Sequence, residues 1–187
     1  MCGFVPRWKA RNEREMSEKN KEKDWYDIAN WCGKPLSVLD IGCGSGLIHK
    51  FLVLSLRPVE VHLMDGNGKY RSQMGWNPEG TKPWKNVDHA VRKVKMLGMC
   101  KAIGYMANPR LTIPADLIIS LKSWGFHYPI HTYMNLVKRS LRPDGTIIVD
   151  LRKGTNQIEE MAQSFHLVEL NVGRSWKCFR SVWKHKE

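Results

Sequence analysis

A glycine-rich turn between an apolar strand and a helix constrains the fold of this 187-residue chain more than any other feature. The apolar segment 37–41 (SVLDI) runs into Gly42, Gly44 and Gly46, and a helical pattern follows at 47–56. Glycines at such a place let the backbone turn tightly and let a ligand approach the start of the helix closely. A tight turn that binds nothing is the alternative, and the glycines alone do not decide between the two.

Strands and helices alternate along the rest of the chain. Further strands are predicted at 59–64, 101–106, 115–121 and 146–151, helices after residue 86 and at 131–141, and a final antiparallel pair at 166–172 and 176–183. This alternation favours an α/β fold with a doubly wound, mostly parallel, seven-stranded sheet, an antiparallel C-terminal strand pair and three α/β/α layers. We expect a polar segment and an amphipathic helix over 1–34, followed by one Rossmann-like domain over 35–187.

Two carboxylates at strand ends indicate the chemistry of a ligand. Asp40 lies two residues before Gly42, where it would repel the pyrophosphate of a dinucleotide and attract a cationic ligand. S-adenosylmethionine is such a ligand, because it carries a sulfonium and an ammonium group. Asp65 ends the next strand and could accept hydrogen bonds from both hydroxyls of a ribose. The alternative for Asp65 is a turn residue in the sequence Asp-Gly-Asn-Gly.

From residue 37 onward the sequence resembles the class I S-adenosylmethionine-dependent methyltransferases. VLDIGCGSG is similar to the first motif of that family, HLMDGN to the second, ADLIIS to the fourth, and LRPDGTIIVD to the turn and strand that follow. The resemblance implies S-adenosyl-L-methionine as the cofactor, methyl transfer as the activity, and a seven-stranded sheet. The candidate cofactor-binding residues are Asp40, Gly42, Gly44, Gly46, Asp65, Asn108 and Ser120.

The resemblance also implies how these residues would share the cofactor. The three glycines would line its methionine end, Asp40 would hold its amino group, and Asp65 would bind its ribose. Asn108 stands where family members often place an Asp that contacts the adenine, although a turn residue before Pro109 is the alternative. Ser120 ends the fourth strand, at the edge where the acceptor would enter.

The stretch 120–128 carries the candidates for catalysis and acceptor binding. His127 could act as a general base, and Lys122 could hold an anionic acceptor. Trp124 and Phe126 could stack on a planar acceptor. The alternatives are that the two aromatic rings pack under the stretch and that His127 caps a neighbouring helix.

The segment 69–85 is long and loop-like, and it contributes Trp76 as a third candidate for substrate contact. A long loop beside the cofactor edge is often a lid or a substrate-selecting element. A surface loop without a function is the alternative.

Positive charge is in excess, with 30 Lys and Arg against 18 Asp and Glu and a formal net charge of +12. Such an excess favours an acidic partner such as nucleic acid, a phosphorylated metabolite or a membrane surface. It is concentrated in two clusters: Lys82, Lys85, Arg92, Lys93, Lys95, Lys101 and Arg110 in the first, and Arg174, Lys177, Arg180, Lys184 and Lys186 in the second. If the clusters share a face with the 120–128 edge, a polyanionic acceptor is favoured.

Three functions therefore stay open. The first is a methyltransferase acting at oxygen or nitrogen of a small or medium acceptor, and the second is an RNA or DNA methyltransferase. The third is a non-methylating protein that binds the cofactor or nucleic acid on the same scaffold. The sequence lacks the Asn-Pro-Pro-Tyr and Pro-Cys motifs of two DNA-methylating classes, which disfavours those two chemistries.

Cysteine, histidine and apolar patterns disfavour several other classes. The five cysteines form no CxxC pair and the seven histidines have no ligand-like spacing, so we expect neither a disulfide framework nor a metal site. No apolar run approaches the roughly 18 residues of a membrane-spanning helix. We therefore expect a cytoplasmic protein without a membrane partner, whose oligomeric state the sequence leaves unknown.

Overall fold

The computed structural model describes residues 7–65, 87–171 and 178–186, with side chains from residue 18 onward. The helices are α1 Arg7–Ile28, α2 Ile48–Leu56, α3 Val87–Lys95, α4 Ile130–Ser140 and α5 Gln157–Ala162, with a short 3₁₀ turn at Ala29–Trp31 after α1. The strands are β1 Ser37–Ile41, β2 Glu60–Asp65, β3 Lys101–Met106, β4 Ala115–Ser120, β5 Ser123–Tyr128, β6 Leu141–Arg152, β7 Phe165–Leu170 and β8 Cys178–His185.

Seven of these strands form one sheet in the order β3-β2-β1-β4-β6-β8-β7. The pairs among β1, β2, β3, β4 and β6 are parallel, and β8 runs antiparallel to both β6 and β7. This confirms the predicted α/β fold with its antiparallel last pair. The carboxyl ends of β1, β2 and β4 consequently meet at one edge of the sheet, where ligands of such sheets bind.

Side chains of alternate residues along the strands pack into two separate apolar cores, one on each face of the sheet. On β1, Val38 packs with α1, α2 and α3, whereas Leu39 and Ile41 pack with α4 and α5. On β4, Leu117 and Ile118 divide in the same way. Strands that are covered on both faces are continuously apolar, as SVLDI and ADLIIS are. The three layers therefore follow from the side-chain period of two.

Three elements differ from the sequence-based expectation. α1 is one helix from Arg7, where a frayed helix or tail was expected before residue 24; the Nζ atom of Lys23 lies 2.9 Å from Asp27 Oδ2 across one turn of it. β5 occupies most of the stretch taken as an open edge, since Lys122 adopts a positive φ of 60° and turns the chain back. The short helix α5 was not predicted.

In the described part of the chain, the basic residues of the two clusters lie toward opposite edges of the sheet. Arg92 and Lys95 lie on α3 beside the edge strand β3, whereas Lys184 lies on β8 near the opposite edge. Arg180 is only 3% exposed, so it does not belong to any surface cluster. Strands β2, β1, β4 and β6 separate the two groups. These residues therefore do not form one basic surface beside the stretch 120–128, which is the arrangement that would favour a polyanionic acceptor.

In the described ranges, no helix is long and apolar enough to cross a membrane. Within the same ranges, no three His, Cys, Asp or Glu side chains gather as they would around a metal ion.

Candidate functional site

The glycine turn is fixed to the end of β2 by hydrogen bonds. The amides of Gly42 and Cys43 both donate to the Met64 carbonyl, over 2.7 and 3.1 Å. The Gly44 amide donates to Oδ2 of Asp65 over 2.6 Å. The carboxylate that ends β2 therefore lies against the turn that follows β1, and its contact with a ribose stays a prediction.

The three glycines of the turn meet different surroundings, although each has a positive φ between 55 and 83°. A Cβ on Gly42 would overlap the side chain of Ser123, and one on Gly46 would lie 3.0 Å from Cβ of Ala90. A Cβ on Gly44 would meet nothing within 4 Å. Gly42 and Gly46 are thus required for packing against β5 and α3, and Gly44 faces the open space that a ligand needs.

Asp40 and Asp65 are two carboxyl groups on the neighbouring strands β1 and β2 that lead to the turn. Asp40 is 4% exposed, and burial raises the pKa of its carboxyl to about 8; Lys21 of α1 lowers this pKa and Asp65 raises it. Two carboxylates suit a ligand with an ammonium group and ribose hydroxyls, and they would oppose a pyrophosphate. The residues present therefore fit S-adenosylmethionine in their donor and acceptor chemistry.

Ser120 and Asn108 have local partners instead of facing the turn. The Ser120 hydroxyl is buried, donates to the Ile41 carbonyl over 2.7 Å and accepts from the Trp124 amide over 2.9 Å. The hydroxyl therefore joins β1 to the start of β5, and the contact of Ser120 with the cofactor stays a prediction. Asn108 Oδ1 accepts from the Arg110 amide over 2.9 Å, which is the turn geometry given as its alternative. The adenine contact of Asn108 stays a prediction.

Trp124 was predicted to stack on an acceptor, and the structure corrects this. Its side chain is fully buried at 0% exposure, and its Nε1 donates to the Ile130 carbonyl over 2.8 Å. A ring enclosed in this way has no face to offer to a substrate. The other predicted tryptophan, Trp76, and the loop 69–85 lie outside the described residues, and their roles stay predictions.

Phe126 and His127 lie at the end of β5 together with Arg152 of β6. The Arg152 guanidinium carbon lies 5.2 Å from the Phe126 ring centroid, and the Phe126 and His127 rings meet edge to face at 5.0 Å. Burial lowers the pKa of His127, and Arg152 lowers it further. The imidazole is consequently neutral at pH 7, which is the form that a general base requires.

Lys122 is held by the N-terminal helix. Its Nζ atom lies 3.7 Å from Oδ2 of Asp24, and its side chain is half exposed. An ion pair of this kind does not prevent contact with an anionic acceptor, and that role of Lys122 stays a prediction.

A buried ionic cluster around Arg180 was missed by sequence reasoning. Arg180 Nε and Nη2 donate to the two carboxylate oxygens of Asp150 over 2.7 and 3.0 Å, and Nη2 also donates to Asp24 Oδ1 over 2.9 Å. Burial alone would raise the pKa of Asp24, but Arg180, Lys21 and Lys122 together hold it below its usual value. The cluster fixes α1 to the sheet beside the acceptor edge.

Two further residues near the carboxylates were also missed. His49, in the first turn of α2, lies against Asp40 in the protein interior. Tyr128 ends β5, and its pKa is raised by burial and by the charge of Asp65. A histidine within an otherwise apolar helix was the available signal for His49; Tyr128 lay within the aromatic stretch but was not singled out.

Comparison with known proteins gives limited sequence similarity. No protein-family model matches the chain. Among curated proteins, it is 29% identical over 130 residues to the protein anon-37Cs of Drosophila simulans and Drosophila melanogaster. The match spans 57% of this chain and 25% of those relatives, so the chain corresponds to about a quarter of their length.

Solved structures share the fold over nearly the whole chain. The PH0226 protein of Pyrococcus horikoshii superposes with a TM-score of 0.66 at 15% identity, covering 91% of each chain. A SAM-dependent methyltransferase of Aquifex aeolicus gives 0.63 at 16% identity, over 89% of this chain and 92% of that one. A TehB-like SAM-dependent methyltransferase of Corynebacterium glutamicum gives 0.59 at 16% identity, over 92% and 100%.

The fold is therefore that of the class I S-adenosylmethionine-dependent methyltransferases. Two of these neighbours are named as SAM-dependent methyltransferases.

Proposed function

We propose that the protein is an S-adenosylmethionine-dependent methyltransferase that acts on oxygen or nitrogen of a small or medium acceptor. The observation that carries the proposal is the Asp65 carboxylate, which accepts from the Gly44 amide where the turn is open, with the buried Asp40 carboxyl close enough for the charge of Asp65 to raise its pKa. When bound, the cofactor supplies a methyl group on a sulfonium, ready for in-line displacement.

The residues of the turn would bind and orient this cofactor. Asp65 accepts hydrogen bonds from the ribose hydroxyls, and Asp40 accepts from the ammonium group. Gly44 lets the methionine end approach the backbone. Since methyl transfer depends mainly on aligning donor and acceptor, this positioning accounts for most of what the chain must contribute.

The acceptor would enter at the ends of β4, β5 and β6. Phe126 and Arg152 form one wall of this edge, and His127 lies beside them. His127 takes the proton of an acceptor hydroxyl or amine, and Lys122 binds an acidic group of the acceptor.

Replacing His127 with asparagine is expected to lower the rate of methyl transfer about 100-fold, in the range usual for loss of a general base. Cofactor affinity should change less than twofold, since His127 is not placed at the turn. Burial and Arg152 lower the His127 pKa, so at saturating cofactor the wild-type rate should begin to fall at a lower pH than it would with an unperturbed histidine. Steady-state rates between pH 5 and 8 measure both effects, with His166→Asn on β7 as the matched control.

Small and polymeric acceptors are distinguished by the placement of charge. The described basic residues of the two clusters lie toward opposite edges of the sheet, and Arg180 is consumed by a buried ion pair. This arrangement supports a small or medium acceptor over a polyanion. An RNA or DNA acceptor would instead give binding that weakens steeply with added salt.

An acceptor screen with S-adenosylmethionine labelled in its methyl group tests the proposal. Label is expected in the small-molecule fraction, with S-adenosylhomocysteine formed in equal amount. Label in the RNA or DNA fraction would contradict a small acceptor and would support an RNA or DNA methyltransferase instead. Cofactor binding without S-adenosylhomocysteine in any fraction would contradict methyl transfer, and absence of cofactor binding would contradict the proposal entirely.

A further inference from the structure

Asp40 and His49 form a buried pair beside the glycine turn. Their Oδ2 and Nε2 atoms lie 3.3 Å apart, and their side chains are 5% and 0% exposed. Among the described residues, neither ring nitrogen of His49 has a hydrogen-bond partner of good geometry. The ring therefore lies directly beside the buried Asp40 carboxyl group, to which the proposed function assigns the cofactor ammonium.

The surroundings of Asp40 keep its carboxyl protonated in the free protein. Burial raises its pKa to about 8, while Lys21 on α1 opposes this effect and Asp65 on β2 adds to it. Cys43, in the turn, is the other titratable neighbour, and burial raises the pKa of its thiol so that it carries no charge. At pH 7 the Asp40 carboxyl is therefore mostly neutral.

The surroundings of His49 keep its ring neutral as well. Burial lowers its pKa to about 4, the nearby Gly46 carbonyl opposes this effect, and Lys21 lowers the pKa further. A neutral imidazole carries one N–H and one bare nitrogen. It can therefore donate to an ionised Asp40 without adding a positive charge next to a cationic ligand.

We propose that His49 is a positioning residue that donates a hydrogen bond from Nε2 to the Asp40 carboxylate when the cofactor ammonium docks there, and that docking releases the Asp40 proton to solvent. The inference rests on the proposed function. In the free protein the pair holds the carboxyl proton and the ring proton. In the complex the ring keeps its proton, and the carboxylate accepts one hydrogen bond from His49 and one from the ammonium.

Calorimetry with S-adenosylhomocysteine, which carries the same ammonium, tests the proton release. Affinity of the wild type is expected to rise about tenfold per pH unit between pH 6 and 7.5 and to level off above pH 8, where Asp40 is already ionised. Heats measured in buffers of different ionisation enthalpy should show close to one proton released at pH 6.5. An affinity that is constant from pH 6 to 8.5 would overturn the proton release.

Matched variants of His49 test its role. His49→Leu is expected to weaken binding about 10- to 100-fold, because the ionised Asp40 loses a charge-assisted hydrogen bond, and to move the pH profile upward. His49→Gln keeps an amide donor and should restore most of the affinity. The melting temperature of His49→Leu should equal or exceed that of the wild type, since an unsatisfied buried ring is replaced by an apolar side chain. Wild-type affinity and pH profile in His49→Leu would overturn the positioning role.

Failure of the proposed function would look different. A wild type that binds no S-adenosylhomocysteine at any pH contradicts the cofactor assignment itself. Nitrogen-15 spectra of the free protein then still test the protonation state of the Asp40–His49 pair. His49 should be neutral, with its proton on Nε2, down to about pH 5. A His49 ring that is charged at pH 6.5 would overturn the inference.

Discussion

Asp65→Ala is expected to weaken S-adenosylmethionine binding by at least about 100-fold. Two ribose hydroxyls would lose a charged acceptor, each worth about 1.5–3 kcal/mol, and about 1.4 kcal/mol corresponds to a factor of ten in affinity. The Gly44 amide would also lose its 2.6 Å partner, which loosens the turn that faces the ligand. Isothermal calorimetry on the purified protein measures the dissociation constant directly.

Two further variants separate binding from folding. Asp144→Ala removes an exposed carboxylate in the turn at the amino end of the sheet and should leave the affinity unchanged. Asp65→Asn keeps the shape and one acceptor, so its affinity should fall between those of Asp65→Ala and the wild type. An Asp65→Ala protein that binds as tightly as the wild type would show that Asp65 only anchors the turn.

Arg180→Met is expected to destabilise the protein by about 3–5 kcal/mol, because it leaves the fully buried Asp150 carboxylate without a counter-charge. For a chain of this size the melting temperature should fall by roughly 10 °C. Asp24 loses the same partner, so the stabilisation that comes from its lowered pKa disappears. That stabilisation is present above the pKa of Asp24 in the unfolded chain and is lost as the pH falls through its folded value.

A second substitution identifies the cause of the loss. In the double variant Arg180→Met with Asp150→Leu, the unpaired carboxylate is replaced by an apolar side chain, and most of the lost stability should return. Arg142→Met is the matched control, since Arg142 is half exposed and lies 3.7 Å from Asp116, and it should change stability by less than about 1 kcal/mol. No recovery in the double variant would mean that Arg180 acts by packing alone.

The strands of the sheet could be predicted because their signals are local. β1 and β3 have the predicted bounds, and β4 ends one residue earlier than expected. Each is a short apolar run bounded by turn residues, and the period of two then divides its side chains between the two cores. β5 escaped prediction because its aromatic residues follow a lysine whose positive φ turns the chain, and no local pattern reports that turn.

The residues of the candidate site also divide into those that the sequence could place and those that it could not. Asp40, Gly44 and Asp65 could be placed together, since each follows from the position of a strand end. Trp124 was assigned wrongly, because a sequence shows the type of a side chain and not the direction in which it points. The Arg180 cluster could not be predicted at all, since Asp24 and Arg180 are 156 positions apart.

The same separation sets an order of assembly during synthesis. A chain leaves the ribosome from its N-terminus, so Asp24 emerges long before Arg180, and the buried contact between α1 and the sheet cannot form until β8 has emerged. The backbone and Asp65 hydrogen bonds of the glycine turn, by contrast, join only β1 and β2, which are neighbours along the chain. These bonds can therefore form in a nascent chain before α1 is secured to the sheet through Arg180.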